Sequence, residues 1–148
     1  MNKVQSILVA VDFSACSKHA LEYALSLAEQ LGATVDVLHV WASPAYVSPH
    51  VALFVEPGAA PVTLEQVARN EADRSMNKFM ESFPKAKLTI RQEFGTEVET
   101  IVSAAKRFDL LIMGTHGRSA LERVVLGSVA ERVLRRSTTP VLVIREPS

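Results

Sequence analysis

Short apolar runs alternate with helix-periodic segments from one end of the chain to the other, and this alternation limits the available folds more than any other feature. The runs are 6–11 (SILVAV), 34–40 (TVDVLHV), 88–93 (LTIRQE), 110–113 (LLIM) and 140–145 (PVLVIR). Their β-branched content and brevity predict strands. The wholly apolar 110–113 run fits a strand buried on both faces, whereas the alternation in 88–93 fits one nearer a sheet edge. Between the first two runs, Ala20, Leu21, Ala24, Leu25, Leu27, Ala28 and Leu31 recur at helical spacing, and Gly32 ends the pattern. Thr63 opens TLEQ, a capping signature that predicts a helix to about residue 82 with Val67, Ala72, Phe79 and Met80 inward. Thr96-Glu97-Val98-Glu99 predicts another helix to about Phe108. Ser128-Val129-Ala130-Glu131 predicts a third such start, for a helix reaching about Arg136. Strands alternating with helices give an α/β fold: a parallel sheet covered on both faces, joined by right-handed crossovers.

Parallel sheets of this kind take ligands beyond the carboxyl ends of their strands, where the strand order reverses. Two of the best candidates for central strands end in Asp12-Phe13-Ser14 and in Gly114-Thr115-His116-Gly117. If those strands are neighbours, their loops form opposite walls of one crevice. Residues 42–62 interrupt the rhythm and hold four of the seven prolines, at 44, 49, 57 and 61. An aperiodic stretch of about twenty residues exceeds most loops, so a lid, a partner surface and simple mobility are all open.

Composition narrows the function classes. Over 148 residues, 16 Lys and Arg balance 16 Asp and Glu, so whole-molecule attraction to nucleic acid or anionic lipid is not expected. The single cysteine, Cys16, excludes a disulfide framework within one chain. No apolar run approaches the roughly 18 residues needed to span a bilayer, and the opening MNKVQSILVAVDFS reads as a first strand instead of a secretion signal. The expectation is one soluble, cytoplasmic domain over 1–148.

The most informative stretch is Gly114-Thr115-His116-Gly117, nine residues, then Gly127-Ser128. It begins where an apolar strand ends and finishes where a helix opens. Glycine at 114 and 117 lets the backbone approach a flat or charged ligand and adopt positive φ if required. Gly127 and Ser128 open a helix whose unpaired amides and dipole favour an anion such as phosphate. The Ser128 hydroxyl can donate to phosphate, or cap the helix when no ligand is bound. Residues 104–148 carry eight cationic side chains against four acidic ones, and Arg118 and Arg123 lie inside the motif loop. Arg135 and Arg136 suit a helix C-terminus instead.

These residues resemble the universal stress protein family over nearly the whole chain, from VAVDFS to TPVLVIR. The spacing of Gly114, Gly117, Gly127 and Ser128 is similar to the pattern of its ATP-binding members. The resemblance implies a Rossmann-like five-stranded parallel sheet of order 3-2-1-4-5, which makes the first and fourth strands adjacent. It implies that Ala10, Val11 and Asp12 line the base and ribose side and that Val40 lies beside the adenine. Met113, Gly114, Gly117 and Arg118 would follow the ribose and phosphates. Gly127, Ser128, Val129 and Ala130 would surround the phosphate chain. The implied cofactors are ATP (or AMP or ADP) and Mg, the latter through Asp12. A homodimer through antiparallel pairing of Val141–Ile144 is also implied, and a bare apolar edge strand would otherwise invite aggregation.

Several residues admit a plainer role. Asp12 can hold a metal or a ribose hydroxyl, or stabilise the helix that follows it. His116 can touch phosphate or move a proton, but a solvated loop histidine is the favoured reading. His39 is expected to be a satisfied core residue. Cys16, near a helix start where thiolate is favoured, is expected to be a small packing residue, with no resolving partner nearby. Trp41 can flank a base or cover the core edge. His19 and His50 have no companions at ligand spacing. No Gly-x4-Gly-Lys-Ser/Thr loop, no Gly-x-Gly-x-x-Gly after the first strand and no Gly-x-Ser-x-Gly elbow is present. Without a lysine near the phosphates or a base poised for water, the expectation is nucleotide binding without efficient turnover. Two alternatives are an interaction module docking an unknown protein partner through 42–62, and a slow ATPase using Asp12 with Ser128 or His116.

Overall fold

The computed structural model describes residues 2–42, 48–116 and 126–147. In chain order the elements are β1 (Ser6–Ala10), α1 (Ala15–Leu31), β2 (Thr34–Trp41), β3 (Ala52–Leu53), β4 (Val62–Thr63) and α2 (Leu64–Met80). They continue with β5 (Thr89–Phe94), α3 (Glu97–Ala105), β6 (Leu110–Gly114), α4 (Ser128–Arg136) and β7 (Val141–Ile144). Five strands form one parallel sheet in the order β5-β2-β1-β6-β7. This is the 3-2-1-4-5 order, with β1 and β6 side by side.

Period-two alternation along the buried strands sorts side chains onto two faces. Ile7, Val9, Val11, Val35, Val37 and Ile112 pack with Ala20, Leu21, Ala24 and Ala28 of α1 and Met76 of α2. Leu8, Ala10, Leu38, Leu111 and Met113 pack on the other face with Val98, Ile101 and Val102 of α3 and Ala130 and Val133 of α4. Burying each such aliphatic side chain contributes about 1.5–3 kcal/mol, which the ordering of the chain largely offsets.

The predicted edge character of 88–93 and the interior position of 110–113 both hold. Gly32 ends α1 in the left-handed conformation at φ 68°, its amide bonded to the Ala28 carbonyl. The inward residues of α2 differ from expectation. Met76 and Ala72 are its buried side chains, while Val67 is 39% exposed. Position 76 lies one helical turn beyond 72, so the buried stripe follows 72, 76, 79 and 80 and leaves 67 outside it. Residues 42–62 are not wholly irregular, because β3 and β4 pair antiparallel through Ala52↔Thr63 and Leu53↔Val62. Next to this hairpin Phe54 and Val55 are strongly exposed. Among the described residues no helix is long and apolar enough to cross a membrane.

Candidate functional site

The carboxyl ends of β1 and β6 meet where the strand order reverses. Ala10 stands opposite Met113 of β6 on one side and Leu38 of β2 on the other. Ala10 and Met113 are buried in the α3/α4 face and Val11 in the α1/α2 face. Their side chains are committed to the core at the end of the sheet. Val40, two residues past Leu38, is partly buried against the same α3/α4 face.

Beyond β1 the chain turns sharply into α1. Phe13 has φ 65°, a conformation side chains disfavour, and Ser14 caps the helix by accepting the Ser17 amide at 3.1 Å. The Asp12 carboxylate accepts the Ser14 amide at 3.0 Å, and the Asp12 amide donates to the Ser17 hydroxyl at 3.4 Å. One Asp12 oxygen thus stabilises the helix start, the plainer of its two predicted roles.

Beyond β6, Thr115 donates its amide to the Ile144 carbonyl at 2.9 Å, and its own carbonyl accepts the Gly127 amide at 2.6 Å. That bond brings the start of α4 against the end of β6. A Cβ on Gly127 would lie 3.1 Å from both the Thr115 oxygen and the His116 Cα, so only glycine fits comfortably. Gly127 is the N-cap of α4 at φ −61°, with no side-chain cap bond, and Ser128 is the first helical residue. The expected capping by Ser128 is therefore corrected: a residue already inside the helix cannot serve as its N-cap. Ser128 is exposed, Val129 half-buried and Ala130 buried against the α3/α4 core.

Gly114 also has a packing role. A Cβ there would lie 2.7 Å from the Cys16 Sγ and 3.2 Å from the Cys16 carbonyl carbon. Its missing side chain admits α1 against β6, so packing explains this glycine, and neither Gly114 nor Gly127 has positive φ. Cys16 is buried, its thiol directed to the Ile144 carbonyl at 3.5 Å, which matches the packing reading. Gly117 and Arg118 lie outside the described residues, as does Arg123.

His116 is not a solvated loop residue, and that expectation is corrected. Its side chain is 12% exposed, with Nδ1 3.0 Å from the Thr115 hydroxyl and Nε2 3.5 Å from Glu146. Parallel pairing of β6 and β7 places the segments after both strands together, which no local sequence signal reveals. His39 is half-buried, with Nδ1 3.1 Å from Gln92 Oε1, and Trp41 is buried against Phe94, covering the end of the sheet.

One charged neighbour of the crevice was not read from the sequence. Partial desolvation, reinforced by the charge of Asp12, raises the Glu97 pKa above the usual glutamate value. The carboxyl groups of Asp12, in the β1 turn, and Glu97, in the first turn of α3, are thus close enough for their charges to interact. Glu97 was legible only as part of a capping signature; it comes near Asp12 because α3 packs on the same face of the sheet as Leu8 and Ala10 of β1.

Comparison with known proteins fits this architecture. The family model described as the universal stress protein family matches residues 3–145. A universal stress protein of Methanocaldococcus jannaschii is 32% identical over 99% of this chain and 85% of its own length. Among solved structures, the universal stress protein UspA of Lactobacillus plantarum superposes with a TM-score of 0.76 at 25% identity, covering 98% of this chain and 100% of that one. Two further structures share the fold. One is a universal stress protein in complex with cAMP (TM-score 0.59, 24% identity, 97% and 98% of the two chains). The other is the Archaeoglobus fulgidus protein in complex with dAMP (TM-score 0.61, 20% identity, 97% and 100%).

Proposed function

The chain belongs to the universal stress protein family, and from that footing we propose that it binds an adenine nucleotide, ATP with Mg foremost, in the crevice between β1 and β6. The observation that carries the proposal is the start of α4. Its N-cap is a glycine with no side-chain bond to the first-turn amides, and it is tied by the Gly127–Thr115 bond to the reversal point of the sheet. Such amides and the helix dipole suit a phosphate chain. The cAMP and dAMP complexes of related folds support an adenine compound as ligand. On this reading Ala10, Val11, Asp12 and Val40 serve the base and ribose. Met113, Gly114, Gly117 and Arg118 follow the ribose and phosphates, and Gly127, Ser128, Val129 and Ala130 hold the phosphate chain.

The donor present fits Mg as a hard cation: the Asp12 carboxylate is an oxygen ligand that leaves room for phosphate oxygens and water. Mg would neutralise charge on the phosphates and relieve the repulsion between Asp12 and Glu97. The reading does not include efficient turnover. The His116 ring, at the end of β6, is engaged by Thr115 and Glu146. A cytoplasmic homodimer paired through Val141–Ile144 completes the proposal, with nucleotide state altering its shape or its choice of partner.

Protein purified without added nucleotide, then denatured and chromatographed, should release an adenine nucleotide, and ATP-Mg should bind in calorimetry. Ser128→Glu is the matched control. A carboxylate at the first helical position repels phosphate yet favours the helix dipole. We expect affinity to fall by more than about tenfold, the equivalent of about 1.4 kcal/mol, with the melting temperature unchanged or raised. No co-purified nucleotide together with no binding at millimolar ATP-Mg would refute the proposal.

A second reading rests on the exposed Phe54 and Val55 beside the β3–β4 hairpin, which favour a protein partner docking there independently of nucleotide. Deleting 52–61 would then abolish partner capture and leave ATP affinity untouched.

A further inference from the structure

The turn that carries Asp12 is held from the opposite face of the sheet. Strand alternation continues past β1, so Val11 packs among the α1/α2 core, Asp12 interacts with Glu97 on α3, and Phe13 returns to the α1/α2 side. Phe13 is the one non-glycine residue with positive φ among those described. Asparagine or glycine would adopt this conformation readily, whereas a large aromatic does so only when its surroundings over-determine it. Those surroundings are visible. The Phe13 ring lies 4.3 Å from the His39 ring of β2 and 5.5 Å from the Phe79 ring of α2, and Phe79 in turn lies 5.8 Å from Phe83.

We infer that Phe13 is a positioning residue for the crevice. Its ring, clamped between β2 and α2, holds the left-handed turn that presents Asp12 and the cap of α1 toward the ligand before the ligand arrives. The inference rests on the nucleotide reading above and extends it, because it makes α2, on the far face of the sheet, part of what sets affinity. A preformed turn spares the ligand the ordering of a loop. Two chains of contact reach α2 from here: the ring row through Phe79, and the hydrogen bonds from His39 to Gln92 and from Gln92 to Asp73.

The test compares wild type with Phe13→Ala, Phe13→Tyr and Phe79→Leu. ATP-Mg is titrated by calorimetry at a temperature where circular dichroism shows each protein folded, and amide hydrogen exchange is followed over residues 12–17. Phe13→Ala should weaken binding about tenfold, the cost of ordering one loop on binding. Phe79→Leu, which keeps apolar volume but loses the ring pair, should weaken it about threefold. Both should exchange faster across the turn, while Phe13→Tyr matches wild type in both respects. Folded Phe13→Ala that binds within twofold of wild type overturns the inference, as does weaker binding without faster exchange at the turn. If wild type itself fails to bind ATP-Mg, the nucleotide reading falls instead, and the exchange comparison alone decides whether the ring row holds the turn.

Discussion

Gly114 carries the clearest lesson at the scale of single residues. Its place at the end of an apolar strand, three residues before another glycine, suggests a backbone cleared for a ligand. The space its missing Cβ leaves is taken by Cys16 of α1, with the Sγ at 2.7 Å from where a Cβ would sit. Two residues 98 positions apart therefore need each other, and neither one alone discloses it. Gly114→Ala should destabilise the fold by about 1–3 kcal/mol through overpacking, read as a shift in the urea midpoint. Cys16→Ala in that background should return part of the loss, because the Sγ clash disappears while the Cys16 carbonyl carbon at 3.2 Å remains. An additive pair of effects would show that the contact is not what makes glycine necessary. Asp12 and Ser128 were legible as site candidates because each directly borders a strand end or a helix start. Glu97 and the clamp on His116 were not, since both depend on segments distant in sequence.

The helix starts show how far local grammar reaches at the scale of elements. Three segments carry a Ser or Thr followed three residues later by Glu or Gln, and all three helices exist. Only Thr63 forms the full reciprocal box with Gln66. At α3 the Thr96 side chain makes no cap bond, and Glu99 reaches instead to Arg136 at 2.5 Å and Arg132 at 3.9 Å on α4. At α4 the cap moves back to Gly127. A tertiary ion pair competes successfully for Glu99 because α3 and α4 lie side by side on the same face of the sheet. Thr63→Ala is expected to cost about 0.5–2 kcal/mol and Thr96→Ala distinctly less, a contrast measurable by thermal denaturation of the two variants side by side. Equal losses would mean that the bonds seen at Thr63 contribute nothing of their own.

For the whole molecule, the strand order places one apolar strand, β7, at an edge. The carbonyls of Pro140 and Ile144 are taken by the amides of Leu111 in β6 and of Thr115 just beyond it. In a parallel ladder the intervening residues then turn their amides outward, so Val141 and Val143 present the free edge. The dimer we propose pairs that edge with its twin. Val143→Pro removes an outward amide without breaking a bond to β6, and sedimentation should then report a monomer at concentrations where wild type is dimeric. A wild-type protein that sediments as a monomer would refute the dimer, and a variant that stays dimeric would place the association elsewhere.

From its own residues the chain determines the alternation of strands and helices, the edge and interior characters of β5 and β6, and the glycine-rich join between β6 and α4, because each follows from hydrophobic period or local backbone preference. The neighbours of β1 cannot be derived that way: nothing between residues 10 and 113 specifies locally that Ala10 and Met113 stand opposite each other. That pairing is decided when two faces of one sheet are buried at once, and with it come the crevice, the approach of Glu97 to Asp12, and the clamp of Phe79 on Phe13. Contacts across a sheet are set by the packing of elements far apart in the chain, and only the assembled core selects among the registers and orders that the local pattern permits.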